Sequence, residues 1–466
     1  MPKWLIAVIV VCVLALAAHA QARKPNVLFI ISDDLRVDLG CYGAKMSTPN
    51  IDKLAGRGIR FDRAYCQYPL CGPSRCSFMS GLRPETVGVL KNDLPVRHKI
   101  KDLVTLPQLF RNNGYRSMRV GKIYHLGIPS GVGTPGPDDP ESWDSTFNPK
   151  GAEFSHDGDE YTPNPKDGQA FRRVILAGDG REQADYQAAD EAIRLLNDNK
   201  NGSFFLAVGF VRPHVPELAP KSYFDLYPMD QIKVPNVADN DRDGKPELSF
   251  QHSKADMGMD ERGRRESIRA YHATTSFMDA QAGRVVDELD NLGLADNTII
   301  VFISDHGYLL GQHHEWQKMT LFDQTCQVPL VIVPPNATQQ GKVARGIVES
   351  VDLYPTLAEL AGLTPPATLQ GKSFVPLLNN VSAPGKDQAF TQVMRYKEKG
   401  YGRSVRTDRY RYTEWNDGRA GAELYDEQSD PAEVKNLLED PAHAEVLAEM
   451  KKRLHDHFPG KPDFGS

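Results

Sequence analysis

The sequence predicts an α/β protein: a large, mostly parallel sheet covered by helices, followed by a smaller C-terminal part with a short antiparallel sheet and a helix. Asn26 to Ile31, Phe204 to Phe210, Thr298 to Ser304 and Leu330 to Val333 are continuous, mostly branched apolar runs. Such runs mark strands buried on both faces, because a half-exposed strand alternates apolar and polar residues. Helical stretches separate them, and strand–helix alternation builds a helix-covered parallel sheet. From residue 385 onward the pattern changes, with Tyr and Arg alternating between Ser404 and Trp415. A chain of 466 residues accommodates one large α/β unit with an appendage.

The first strand ends in Ser32-Asp33-Asp34. Residues 50–58 read as a short helix closed by Gly56 or Gly58. The segment from Cys71 reads as helical, with Pro73 in the first turn, where its missing N–H costs nothing. Thr105 to Asn113 is a helix stopped by Gly114, and Tyr115 to Val120 is a strand leading into Gly121-Lys122-Ile123-Tyr124-His125. Residues 127–182, rich in Gly, Pro and Asp, read as a long loop or insertion over one face. A helix over 184–198 feeds the strand from Phe204, which runs into Val211-Arg212-Pro213-His214. A long helix over 263–292 precedes the strand that ends in Ser304-Asp305-His306-Gly307. Ser404 to Trp415 suggests exposed antiparallel strands, and a helix over 442–457 closes the chain. The domain division that follows is 24–384 and 385–466, without internal repeats.

The net charge is −6 and there is no long basic run, which argues against nucleic-acid binding. Residues 1–20 carry Lys3, an apolar core from Leu5 to Ala17 and the cleavage-site pattern Ala18-His19-Ala20. That is a signal peptide, too short for a spanning helix. The expectation is a secreted or periplasmic protein with no membrane attachment after cleavage. Cys41, Cys66, Cys71, Cys76 and Cys326 then remain. An odd count leaves at least one unpaired in an exported chain; a Cys66–Cys76 bridge is one possible pairing. The lack of any C-x-x-C pair argues against zinc.

Cys71-Gly72-Pro73-Ser74-Arg75, continuing to Gly81, is the most informative stretch. Alone it is also compatible with an ordinary helix start, so its surroundings decide. In an open α/β sheet, ligands bind beyond the carboxyl ends of the strands. Asp33 and Asp34 follow one strand, Lys122 and His125 another, His214 a third, and Asp305 with His306 a fourth. Asp oxygens suit a hard cation, Lys suits an anion, and His suits proton transfer. Each pair also has a plain reading as a cap or turn; their agreement with Cys71 is what points to a site.

Those residues carry a family resemblance. Pro25 through Asp34, Cys71 through Gly81, Val120 through His125, Arg212-Pro213-His214 and Ser304 through Lys318 are similar to the formylglycine-dependent type I sulfatases of the alkaline-phosphatase superfamily. Within that family the chain looks most like iduronate-2-sulfatase and its bacterial relatives. The resemblance runs from Lys24 to Asn436, with later matches at Ser404–Thr407, Tyr410–Thr413 and Glu423–Asp426. It implies an alkaline-phosphatase-like sandwich and a sulfuric ester hydrolase acting on a sulfated polysaccharide or oligosaccharide. It implies that Cys71 is a precursor, converted to a formylglycine aldehyde by a formylglycine-generating enzyme. That conversion would also remove the odd cysteine.

The same resemblance implies one calcium ion held by Asp33, Asp34, Asp305, His306 and the modified Cys71. Arg75 and Lys122 would stabilise the modified side chain, while Lys122 and Lys318 would hold sulfate oxygens. One hydroxyl of the aldehyde hydrate would attack sulfur and His214 would protonate the leaving alcohol. His125 would deprotonate the second hydroxyl, so that the aldehyde reforms and sulfate departs. Tyr308 stands where the iduronate enzyme has Trp, and His314 where it has Gly. These departures, the insertion at 127–182 and the C-terminal part bear on the choice of sugar. The rival readings are a phosphate or phosphonate monoester hydrolase on the same fold, and a sulfated-glycan binding protein whose Cys71 is never matured. Asp239 through Gly244 looks like half of an EF-hand loop, but Phe250 occupies the position of the closing Glu, so it reads as a polar surface loop.

Overall fold

The apolar runs form the centre of one eight-stranded sheet in the computed structural model. Residues 24–153, 157–163, 171–395 and 400–460 are described; the signal-peptide reading of residues 1–20 lies outside them. The strands are β1 (Asn26–Asp33), β2 (Ile59–Phe61), β3 (Arg116–Gly121), β4 (Ser145–Phe147), β5 (Phe204–Pro213), β6 (Thr298–Ser304), β7 (Leu330–Val333) and β8 (Lys342–Ala344). Their order is β8-β2-β7-β6-β1-β5-β3-β4. Only β7 runs against the rest.

Every residue of β1, β5 and β6 is buried, which is why these strands are apolar without alternation. Val27, Phe29 and Ile31 pack on one face against Phe78 and Met79 of α1 (Cys71–Ser80). Leu28 and Ile30 pack on the other against α2 (Ala184–Asn199) and α3 (Glu261–Asn291). Each fully buried side chain of this size contributes about 1.5–3 kcal/mol. Because β6, β1, β5 and β3 are contiguous and parallel, their carboxyl ends open on one edge of the sheet. Asp305, Asp33, His214 and Lys122 are thereby brought to the same place.

The insertion at 127–182 is not one long loop. Ser145–Phe147 adds β4 to the sheet edge. Gly158–Tyr161 pairs with Arg173–Leu176, which pairs in turn with Glu217–Pro220 just beyond His214. The insertion is therefore anchored beside a strand end.

The C-terminal part forms an antiparallel sheet of β9 (Ala389–Arg395), β10 (Gly400–Arg406), β11 (Tyr410–Trp415) and β12 (Ala422–Asp426), followed by α4 (Ala444–His457). The expectation of exposed strands here is corrected, since β10 and β11 are almost wholly buried. Val405, Tyr412 and Leu424 face Met450 and Leu454 of α4. Trp415 packs with Tyr65, Tyr68 and Leu321. Arg411, 1% exposed, is satisfied internally by Asp323 and by Glu433 at 2.9 Å. The alternation is real, but its polar members point inward onto carboxylates. All five described cysteines are free thiols, so the Cys66–Cys76 pairing is not formed.

Candidate active site

Cys71 opens α1 at the edge where the parallel strands end. The turn into the helix is tight: the Gly72 N–H donates to Asn92 Oδ1 at 2.8 Å, and a Cβ on Gly72 would lie 2.8 Å from Asn92 Cα. Gly81 closes the helix with φ +68°, a conformation glycine adopts without penalty. Cys71 Sγ lies 3.2 Å from Lys318 Nζ, 3.5 Å from His306 Nε2 and 3.8 Å from Asp34 Oδ1.

Arg75 sits one turn further along α1 and is fully buried. Its Nε donates to Asp305 Oδ2 at 2.8 Å, and its Nη2 donates to Asp33 Oδ1 at 3.0 Å. Its Nη1 donates to the carbonyls of Lys122 and Ile123 at 2.5 and 3.1 Å. The rigid guanidinium fork thus ties three strand ends to the helix, which a lysine could not do. Lys122 Nζ donates to Asp33 Oδ2, and Lys318 Nζ donates to Asp34 Oδ1 at 2.6 Å. Asp305 Oδ1 accepts the N–H groups of Asp34 and His306, both at 3.1 Å.

Two histidines have defined orientations. His306 Nδ1 faces the Gly307 carbonyl at 2.9 Å, and His214 Nδ1 faces the Val215 carbonyl at 2.6 Å. A carbonyl only accepts, so each Nδ1 carries a proton and each Nε2 is turned to the cluster. His306 Nε2 stands 3.3 Å from Asp34 Oδ1 and 3.7 Å from Asp305 Oδ2, and His214 Nε2 stands 3.8 Å from Asp34 Oδ2. Ligand atoms of Asp33, Asp34, Cys71 and His214 lie within 4.8 Å of one another, as do those of Cys71, Asp305 and His306. His125 Nδ1 is buried without a hydrogen-bond partner among the described residues.

A family model described as Sulfatase matches residues 25–363, and one described as N-sulphoglucosamine sulphohydrolase, C-terminal, matches 311–458. The chain belongs to the sulfatase family. It is 36% identical to a sulfatase of Formosa agariphila, over 89% of this chain and 83% of that protein. It is 33% identical to human iduronate 2-sulfatase, over 92% of this chain and 94% of that one. The phosphonate monoester hydrolase of Silicibacter pomeroyi shares the fold, with a TM-score of 0.78 at 22% identity, covering 95% of this chain and 96% of that one. The protein is a sulfuric ester hydrolase with an alkaline-phosphatase-like fold.

Burial and charge oppose each other at Asp33 and Lys318 of the sulfatase site and act together at His125 and Cys71. Burial alone would raise the Asp33 carboxyl, yet Lys122 and Arg75 together hold it well below its ordinary value. Burial would lower the Lys318 ammonium, but Asp34 and Cys71 hold it above its ordinary value. Burial pushes His214 down to about 4. Burial, reinforced by Lys122, pushes His125 down to about 2, so that imidazole is neutral at ordinary pH. The Cys71 thiol is pushed up by burial and then by Asp33. A thiol nucleophile needs the opposite shift.

Sequence reasoning missed what holds Lys318. The hairpin that carries it contains His313, His314, Gln317 and Met319 at φ 56°, 54°, 71° and 68°. Left-handed backbone at such residues costs about 1–3 kcal/mol each and needs outside support. The EF-hand-like segment supplies it and is no mere surface loop. Asp241 Oδ2 accepts from His313 Nδ1 at 2.9 Å, and Arg242 donates to the His314 carbonyl at 2.9 Å and to buried Glu315 at 2.8 Å. Asp241 is already committed to His313 and Lys245. Arg242→Ala is expected to lower kcat/KM about 10- to 100-fold by letting Lys318 drift. Steady-state kinetics on an aryl sulfate checks this, with Arg242→Lys recovering only part of the loss because it lacks the fork.

Proposed function

We propose that the protein is an exported sulfatase that hydrolyses sulfate monoesters of a sulfated polysaccharide or oligosaccharide, with iduronate-2-sulfatase-like chemistry. Its working group is formylglycine made from Cys71, beside one calcium ion. The observation that carries this reading is the surroundings of Cys71: three buried carboxylates, of Asp33, Asp34 and Asp305, interlocked with three cations, Arg75, Lys122 and Lys318. Cys71 itself is 0% exposed, so the formylglycine-generating enzyme would act before folding closes the site. Residues 1–20 supply the export signal, and the division at 384/385 separates the catalytic part from the C-terminal one.

The residues fit a hard cation. His306 Nε2 faces two carboxylate oxygens, so acceptors converge where a metal would satisfy all of them. Its Nδ1–H to a backbone carbonyl is the usual second contact of a metal-ligating histidine. Asp33, Asp34, Asp305, His306 and the oxygen replacing the Cys71 sulfur would hold calcium, which supplies Lewis-acid stabilisation of developing negative charge. Formylglycine supplies, as its hydrate, an oxygen nucleophile and a way to release sulfate without a stable ester.

The chain's other residues do the rest. Three carboxylates already balance three cations, so a divalent ion leaves the pocket positive and matched to a sulfate anion. Lys122 and Lys318 neutralise the sulfuryl oxygens. Arg75 keeps Asp33 and Asp305 in register with the helix start. His214 turns Nε2 inward; with a proton taken up there from solvent when the anionic ester binds, it would act as an imidazolium and protonate the leaving alcohol, and neutral His125 takes a proton during release.

The test is the matured protein on 4-nitrophenyl sulfate, 4-nitrophenyl phosphate and a phenylphosphonate monoester. Sulfate turnover is expected to exceed the other two by at least about tenfold in kcat/KM. Preferential phosphate or phosphonate turnover would instead establish the rival hydrolase. A set of saccharides sulfated at defined positions then identifies the sugar.

A further inference from the structure

We infer that Glu153, acting through Arg212, is a positioning residue that aims His214 at the oxygen of the leaving group. This rests on the reading of His214 as the acid. Val211-Arg212-Pro213-His214 leaves the end of β5, and its backbone is pinned at several points. The N–H groups of Val211 and Arg212 donate to the Asp185 carboxylate at 2.7 and 2.9 Å, at the start of α2. The Arg212 carbonyl accepts from Ser32 Oγ at 2.9 Å, next to Asp33. Beyond Arg212 the chain turns away, and the Arg212 side chain takes over. Its Nη1 donates to the His214 carbonyl at 3.2 Å, and its Nη2 donates to Glu153 Oε2.

Arg212 and Glu153 are 1% and 2% exposed. Such a pair is a poor source of stability, since desolvating two ions costs several kcal/mol. What it supplies is geometry. The guanidinium is planar and forked, so fixing one arm on Glu153 fixes where the other arm holds the His214 backbone. The imidazole then has one further contact, Nδ1 to the Val215 carbonyl, and Nε2 is left pointing at the cluster. Glu153 belongs to the 127–182 insertion, the segment expected to lie over the substrate. Its neighbour Ala152 donates to the Glu182 carbonyl at 3.1 Å. The ion pair therefore joins the substrate-covering segment to the proton donor.

A positioning role predicts selectivity by leaving group. Phenyl sulfate releases a basic phenoxide and needs its proton; 4-nitrophenyl sulfate releases a stable anion and hardly does. Glu153→Gln keeps the shape and removes the charge. For phenyl sulfate its kcat is expected to fall about 10- to 100-fold, and for 4-nitrophenyl sulfate no more than about threefold. A merely structural defect lowers both in proportion. Should Glu153→Gln not be recovered folded, Arg212→Lys, which keeps a charge but loses the fork, is expected to widen the same ratio. An unchanged ratio, with wild type active on both esters, overturns this inference alone. A matured wild type inactive on both overturns the reading of the site, and this inference with it.

Discussion

Cys71→Ala is expected to abolish sulfate ester turnover, lowering kcat by about 10⁵-fold or more, while the chain still folds. The thiol makes no structural contact that the fold depends on. Its neighbours are Lys318, His306 and Asp34, each of which has another partner. Truncation leaves a small void costing about 1 kcal/mol. The size of the activity loss follows from what an unconverted side chain can do. A thiol raised by burial and by Asp33 is protonated, and Ala offers no oxygen at all. The lysines, with the cation that the carboxylates would hold, would still bind a sulfate ester, so KM should change far less than kcat. Kinetics and a thermal melt of the variant check both halves. The companion measurement is the mass of the Cys71 peptide from active protein, about 18 Da below the unmodified value on conversion to formylglycine. An unmodified thiol in active material, or full activity in Cys71→Ala, would show that the protein works by other chemistry.

The central strands and their ends were legible because their signals are local. Three of the four continuous apolar runs lie side by side and parallel, with Leu330–Val333 running against them, and parallel neighbours put the residues after each run on one edge. Asp33, Lys122, His214 and Asp305 therefore needed no tertiary knowledge to be grouped. The short strands Ile59–Phe61 and Lys342–Ala344 escaped notice because three residues carry no periodicity. The C-terminal strands were read as exposed because Tyr and Arg usually face water; here the arginines face carboxylates from distant segments. The clamps were invisible for the same reason. Arg242 reaches Glu315 and Arg212 reaches Glu153 across 73 and 59 positions, and nothing local in either pair announces its partner.

Removal of the divalent cation is expected to separate catalysis from folding. In the chain itself Asp33, Asp34 and Asp305 are each met by Arg75, Lys122 or Lys318, so the buried charges balance without help. Chelation should therefore leave a folded protein whose turnover is lower by about 10³-fold or more. Its melting temperature should rise on adding calcium, since a ligand at 100 times its Kd stabilises by about 2.7 kcal/mol. Asp33→Asn behaves differently. Asp33 Oδ1 holds Arg75 and Oδ2 holds Lys122, both 0% exposed, so neutralising it strands buried positive charge. Breaking a buried pair in this way costs about 3–5 kcal/mol, and added calcium should not restore the loss. Chelated wild type should thus be stable, inactive and rescued by calcium, and Asp33→Asn unstable, inactive and not rescued. Full activity in protein shown by elemental analysis to be metal-free would remove calcium from the mechanism. The carboxylate cage would then have a different reason: it would hold Arg75, Lys122 and Lys318 in place as the sulfate-binding cations.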